Sequence, residues 1–141
     1  MNDTIILAEK LKESWRELSA DVQKNKKISI EMFDSTFSQT YALLAKHLAE
    51  NSLDKRFIEL IAEAFVFANI KDETVDYTCL AAFVLTERML TACAFASAPA
   101  MTEPLSVYIV EARRAVALDF NDVEESVSKL TKIFEDMYWK R

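Results

Sequence analysis

Five charged residues interrupt otherwise apolar stretches of this 141-residue chain: Glu87, Arg88, Glu111, Arg113 and Arg114. A charged side chain that is removed from water needs an ionic partner, a hydrogen-bonding ligand or access to solvent. Three interpretations are therefore open: an internal ion-pair network between two helices, a ligand pocket in which an arginine binds a carboxylate, or one face of the helices that reaches water.

Metal and nucleophilic chemistry have few candidate residues. Histidine occurs once, as His47, and cysteine twice, as Cys79 and Cys93. A zinc site needs a cluster of such ligands, and a di-iron bundle needs two Glu-x-x-His motifs. On one helix the cysteines would lie about 21 Å apart, whereas a disulfide needs Cα atoms within about 7 Å. We expect two buried thiols, a half-exposed helix-end histidine, and neither a metal nor a cofactor.

One pair of carboxylates shares a helical face. Glu59 and Glu63 are four residues apart, and Lys55 precedes Glu59 by four. Residues at this spacing are neighbours on a helix surface, where opposite charges form ion pairs. We interpret this group as a solvated face with a local pair between Lys55 and Glu59.

The chain contains no glycine. Loops that bind phosphates need glycine so that the backbone can approach the ligand, and tight hairpins need its positive φ angles. The composition therefore disfavours nucleotide-binding loops and hairpin-rich sheets, and it favours helices joined by polar turns.

The charge balance argues against nucleic acid as a partner. The net charge is −6, and the one basic cluster, Lys24, Lys26 and Lys27, is interpreted as a solvated loop.

The most apolar stretch, residues 77–98, is broken by charges at its middle, so we expect no membrane span. The N-terminus lacks the pattern of a signal peptide, which predicts a cytoplasmic protein.

Apolar residues at spacings of three and four predict three helices in the first half of the chain. The first covers about residues 3–24 and ends at Asn25, which tolerates a left-handed conformation. The second runs from a Ser29 cap to about Asn51, and the third from residue 52 or 54 to about Asn69. The first two buried stripes are Leu7, Leu11, Trp15, Leu18 and Val22, and then Phe33, Phe37, Tyr41, Leu44 and Leu48.

The second half adds three more helices. The fourth, about residues 74–98, starts after Asp72 or Thr74 and is apolar nearly all round, which predicts a central position. The fifth starts at Thr102 and is largely enclosed. The sixth opens with Asn121 and carries a heptad seam: Val123, Val127, Leu130, Phe134 and Met137. We therefore expect one all-α domain over residues 1–141, a bundle of five or six helices.

These features favour a non-enzymatic protein–protein interaction module over an enzyme, because no motif for catalysis is present. An inhibitor, an immunity-type protein, an adaptor and a regulatory subunit would each act through an acidic helical surface. Trp139 points away from the seam of the sixth helix, so the candidate partner-binding residues are Lys132, Glu135, Tyr138 and Trp139. The partner is another protein, or a second copy paired through the first or sixth helix.

A helical sensor domain is the alternative. A bundle rich in Phe and Met could hold a fatty-acid-like molecule in its core, with Arg88, Arg113 or Arg114 binding the carboxylate.

Overall fold

The computed structural model describes residues 2–49, 55–96, 110 and 123–138, and this part of the chain contains helices and no strand. Five helices have described bounds: α1 (Asn2–Asn25), α2 (Ile30–Ala49), α3 (Lys55–Ala68), α4 (Tyr77–Ala96) and α5 (Val123–Tyr138). The all-α class predicted from the sequence is confirmed. Of the fifth predicted helix, only Val110 is described; it is helical and exposed, although that helix was expected to be enclosed.

The helices α1 and α3 lie side by side and run in the same direction. Three ion pairs join them or the turns that follow them, and each spans 46 or 47 residues: Lys12–Glu59, Arg16–Glu63 and Lys26–Asp72. The connections after α1 and α3 are short and reverse the chain, so that α2 and α4 return beside each other. The helix α5 packs against α3.

The central position belongs to α3, which differs from the prediction that the fourth helix is central. Every residue of α3 from Leu60 to Ala68 is buried, and α3 packs against α1, α4 and α5. By contrast, α4 exposes much of one side. The physical reason is charge: α3 carries Glu59 and Glu63 on the side that meets cations of α1, so it can be enclosed.

Trp15 organises the core. Its side chain is fully buried, its ring lies 5.3 Å from Phe67 and 6.1 Å from Phe33, and its Nε1 donates a 2.9 Å hydrogen bond to Thr40 Oγ1. A buried indole N–H needs an acceptor. Because Thr40 faces inward to supply it, the neighbouring Tyr41 faces outward and is 46% exposed. The prediction that Tyr41 lies in the buried stripe was wrong.

The turn from α1 to α2 contains no glycine. The left-handed residue is Lys26, with φ 59°, and it follows Asn25, which was predicted for this role. Its N–H donates to Val22 O at 3.0 Å and closes the last turn of α1. Ser29 caps α2 as predicted, since Met32 N donates to Ser29 Oγ at 3.2 Å.

The start of α4 also differs from the prediction. Asp76 is the cap, because its Oδ1 accepts from Cys79 N at 3.0 Å, and this hydrogen bond lowers the pKa of Asp76. Asp72 instead closes a local turn by accepting from Thr74 N at 2.8 Å, and it pairs with Lys26 Nζ at 2.6 Å. Asp72 and Thr74, after which the helix was predicted to start, therefore lie in the connection before it.

Asp72→Asn should reduce the acid sensitivity of the protein. Hydrogen bonds from Lys26 and Thr74 lower the pKa of Asp72 from 3.8 to about 2. A depressed carboxyl pKa contributes stability above its unfolded value, and this contribution is lost as the pH falls through about 2. We expect urea unfolding between pH 4 and pH 2 to show a shallower loss of stability in Asp72→Asn than in wild type. If the free energy of unfolding falls equally steeply in both proteins between pH 4 and pH 2, this account is contradicted.

Candidate functional site

A charged cleft of about 530 Å³ lies between α1, α3 and α5. Its walls include four cations and five carboxylates: Lys12, Arg16, Lys55, Lys132, Glu59, Glu63, Glu124, Glu135 and Asp136. This charged cleft is one of two surface features of the described residues that could serve a function.

Glu63 is the most enclosed charge of the cleft. Its side chain is 4% exposed, and Arg16 binds both carboxylate oxygens, with Nε donating to Oε2 at 3.0 Å. Burial raises the pKa of Glu63 above its ordinary value, although the Arg16 guanidinium opposes that shift. The interpretation of Glu59 and Glu63 as a solvated face was therefore wrong for Glu63, because its neutralising partner lies on another helix.

The lysines of the cleft join helices in the same way. Lys12 binds Glu59 across to α3 and also lies 3.4 Å from Glu9 on its own helix. Burial alone would lower the pKa of Lys12, but these two carboxylates raise it. Lys55 lies 3.7 Å from Glu135 of α5, where a pair with Glu59 was predicted. The ion pairs of the charged cleft therefore join α1 to α3 and α3 to α5.

The predicted partner-binding residues are only partly described. Lys132 is exposed, and Glu135 is half-buried beside Lys55. Tyr138 ends α5, its side chain lies outside the described part, and Trp139 lies outside the described residues altogether. Their role as one partner-binding surface stays a prediction.

The charged residues that interrupt the apolar stretches are also only partly described. Arg88 is exposed on α4 and Glu87 is half-buried, while Glu111, Arg113 and Arg114 lie outside the described residues. The solvent-facing interpretation describes the position of Arg88. The sensor alternative needs an apolar cavity that ends on an arginine, whereas the described residues line a charged cleft and an open groove. It stays a prediction.

The second feature is an apolar side of α4 that faces solvent. Successive residues of this side are alternately three and one positions apart, so that each has a neighbour three or four positions away on the same side of the helix. They are Tyr77, Leu80, Ala81, Val84, Leu85 and Arg88. We call this set the α4 face. Tyr77 is 88% exposed, and Leu80, Val84 and Leu85 are each about half exposed. The opposite side of α4 packs into the core, so the helix is apolar on both sides and covered on one.

A groove of about 350 Å³ between α2 and α4 extends this face. Its lining includes Ile30, which is 60% exposed, together with Phe33 and Asp34 of α2. The largest apolar patch of a typical monomer covers about 300–600 Å² and often binds a partner. Sequence reasoning recognised that α4 is apolar all round but interpreted that pattern as burial, and so it missed the surface.

Both cysteines lie on the packed side of α4, as predicted, and neither forms a disulfide. Burial raises the pKa of the Cys79 thiol to about 12 and that of Cys93 to about 11. The thiolate is the reactive form, so both residues should be inert in the native protein. We expect a thiol reagent at pH 8 to modify native protein at least about 100-fold more slowly than protein in urea. Rapid labelling of one thiol per native chain would contradict this burial.

The remaining chemistry of the described residues is sparse. His47 is half-buried near the end of α2 and stacks on Phe57 at 4.8 Å, in agreement with its predicted position. Within the described ranges, no three His, Cys, Asp or Glu side chains converge as metal ligands. No described helix combines the length and apolar character that a membrane crossing requires.

Comparison with known proteins returns no match to any family model, curated protein or solved structure.

Proposed function

We propose that the chain is a non-enzymatic protein-binding module, and that it binds through the α4 face and the adjoining groove. The observation that carries this proposal is the row of large apolar side chains that α4 turns to solvent. Removing such surface from water contributes about 25 cal/mol per Å², so a folded chain gains stability when a partner covers it. An inhibitor, an immunity-type protein, an adaptor and a regulatory subunit, acting in the cytoplasm, all fit this mode of action.

The shape of the surface favours a helical partner. Exposed residues at spacings of three and four are the anchors that a second helix contacts when it lies along the first. Tyrosine and arginine contribute most often to the binding energy of interfaces, and Tyr77 and Arg88 stand at the two ends of the α4 face. A partner helix that spans both ends would bury the whole row.

Site-specific photocrosslinking in the native host tests this proposal. A photoreactive residue replaces Leu85 on the α4 face, and a matched variant carries it at Ile6, an exposed apolar residue of α1. We expect the Leu85 variant to form a discrete protein adduct and the Ile6 variant to form none. Absence of an adduct at Leu85, or equal labelling at both positions, would overturn the proposal.

A further inference from the structure

We propose that the α4 face is occupied by a second copy of this chain, with the two α4 helices antiparallel about a two-fold axis near residues 82–83. This inference rests on the proposed function, because it names the protein that covers the surface. It differs from the earlier expectation of a dimer through the first or sixth helix.

The order of residues along the α4 face is self-complementary. About this axis, Tyr77 lies opposite Arg88 of the other copy, Leu80 opposite Leu85, and Ala81 opposite Val84. The first pair sets a guanidinium against an aromatic ring, which attract each other. The second pair is aliphatic on both sides. The third places a small residue against a larger one at the centre, where two helices must approach closely.

The charges at the two ends of the α4 face also favour a second copy in the antiparallel orientation. Arg88 is exposed near the C-terminal end of the face, eleven residues or about 16 Å from Tyr77. Asp34 and Asp76 are exposed at the other end, beside Tyr77, and these two carboxylates outnumber Lys27, the exposed cation that acts on Asp76. An antiparallel pairing brings the basic end of each copy to the acidic end of the other. A parallel pairing would set Arg88 against Arg88, which is repulsive.

Because the two ends of the α4 face carry opposite charges, a partner helix of uniform charge is disfavoured. A basic helix laid along the face would meet Arg88, and an acidic helix would meet Asp34 and Asp76. A two-fold pairing uses the same patch twice, so one apolar core with oppositely charged ends serves both copies. A standard interface covers about 800 Å² on each partner, and such a patch supplies its apolar centre, with polar residues of α2 at the rim.

The oligomeric state of two matched variants tests the proposal. Ala81 and Ala20 are both exposed helical alanines, on the α4 face and on α1 respectively. We expect sedimentation of the full chain to show a concentration-dependent dimer in wild type and in Ala20→Glu. In Ala81→Glu the dissociation constant should rise at least about 100-fold, because each dimer would bury two carboxylates. Circular dichroism checks that both variants fold.

Disulfide mapping tests the orientation. The native thiols are buried, so an added exposed cysteine is the accessible one. When Tyr77→Cys and Arg88→Cys chains are mixed and oxidised, we expect the intermolecular disulfide to join residue 77 of one chain to residue 88 of the other. Disulfides that join 77 to 77 and 88 to 88 at equal yield would overturn the antiparallel arrangement.

Failure of this inference can be distinguished from failure of the proposed function. A wild-type chain that is monomeric at every concentration, with Ala81→Glu sedimenting identically, overturns the second copy as occupant. If the Leu85 photocrosslink then yields an adduct with a different protein, the protein-binding function still holds. An adduct of twice the chain mass supports both proposals, and no adduct at all overturns both.

Discussion

Trp15→Ala should lower the free energy of unfolding by about 3–5 kcal/mol, the range measured when a buried aromatic side chain is truncated. The indole is fully buried between Phe33 and Phe67 and hydrogen-bonded to Thr40, so its removal leaves a cavity where α1, α2 and α3 meet. Urea denaturation followed by circular dichroism measures the change.

Two further substitutions separate the cavity from the hydrogen bond. Thr40→Val keeps the shape of the side chain but leaves the Trp15 N–H without its acceptor, which should cost about 1–3 kcal/mol. Ile6→Ala removes an exposed side chain of the same helix and should change stability by no more than about 0.5 kcal/mol. A loss below about 1 kcal/mol in Trp15→Ala would show that Trp15 does not organise the core.

Arg16→Met should destabilise the protein by about 2 kcal/mol at pH 7, because it leaves the Glu63 carboxylate buried without its cation. Breaking a fully buried pair costs about 3–5 kcal/mol, and the smaller figure reflects the 38% exposure of the Arg16 side chain. Unfolding in urea at pH 7 gives the value. A variant as stable as wild type would mean that water solvates Glu63 through the cleft.

The loss in Arg16→Met should shrink as the pH falls. Burial already holds the pKa of Glu63 above its ordinary value, and removing Arg16 raises it further. A raised carboxyl pKa means that the native state binds the proton more tightly than the unfolded chain, so stability returns as the pH falls through that pKa. Adding Glu63→Gln to Arg16→Met should restore stability at pH 7 and abolish this pH dependence. Equal losses at pH 7 and pH 5 would contradict the assignment.

These contacts separate folding from binding in the experiments above. Trp15, Arg16 and Glu63 join helices on the side of α3 that faces α1, whereas the α4 face points to solvent. None of the residues of the α4 face belongs to the buried core. A binding defect in variants of the α4 face therefore reports on the surface, and a stability defect in Trp15→Ala or Arg16→Met reports on the bundle.

Several elements could be predicted because their causes are local. Leu11, Trp15, Leu18 and Val22 recur every three or four residues, and all four are buried. Ser29 caps the helix that follows it, since a cap needs only a side-chain oxygen three residues before a free N–H. Propensity and periodicity act within one or two turns, so the sequence predicts the α1 stripe and the start of α2 correctly.

Other elements required contacts between distant parts of the chain. Thr40 faces inward because Trp15, 25 residues earlier, needs an acceptor. Glu63 is buried because Arg16, 47 residues earlier, neutralises it. No local pattern distinguishes a glutamate that has such a partner from one in water, which is why Tyr41 and Glu63 were assigned to the wrong environments.

By itself, the sequence determined that this is an all-α chain: the absence of glycine and the apolar spacing at three and four leave helices as the available structure. The tertiary structure alone decided which helix is enclosed. Both α3 and α4 are apolar enough to be central, but the cations of α1 neutralise the two glutamates of α3, and α4 keeps one apolar side in water. Periodicity shows which sides of a helix can be buried, whereas only packing shows what covers each of them.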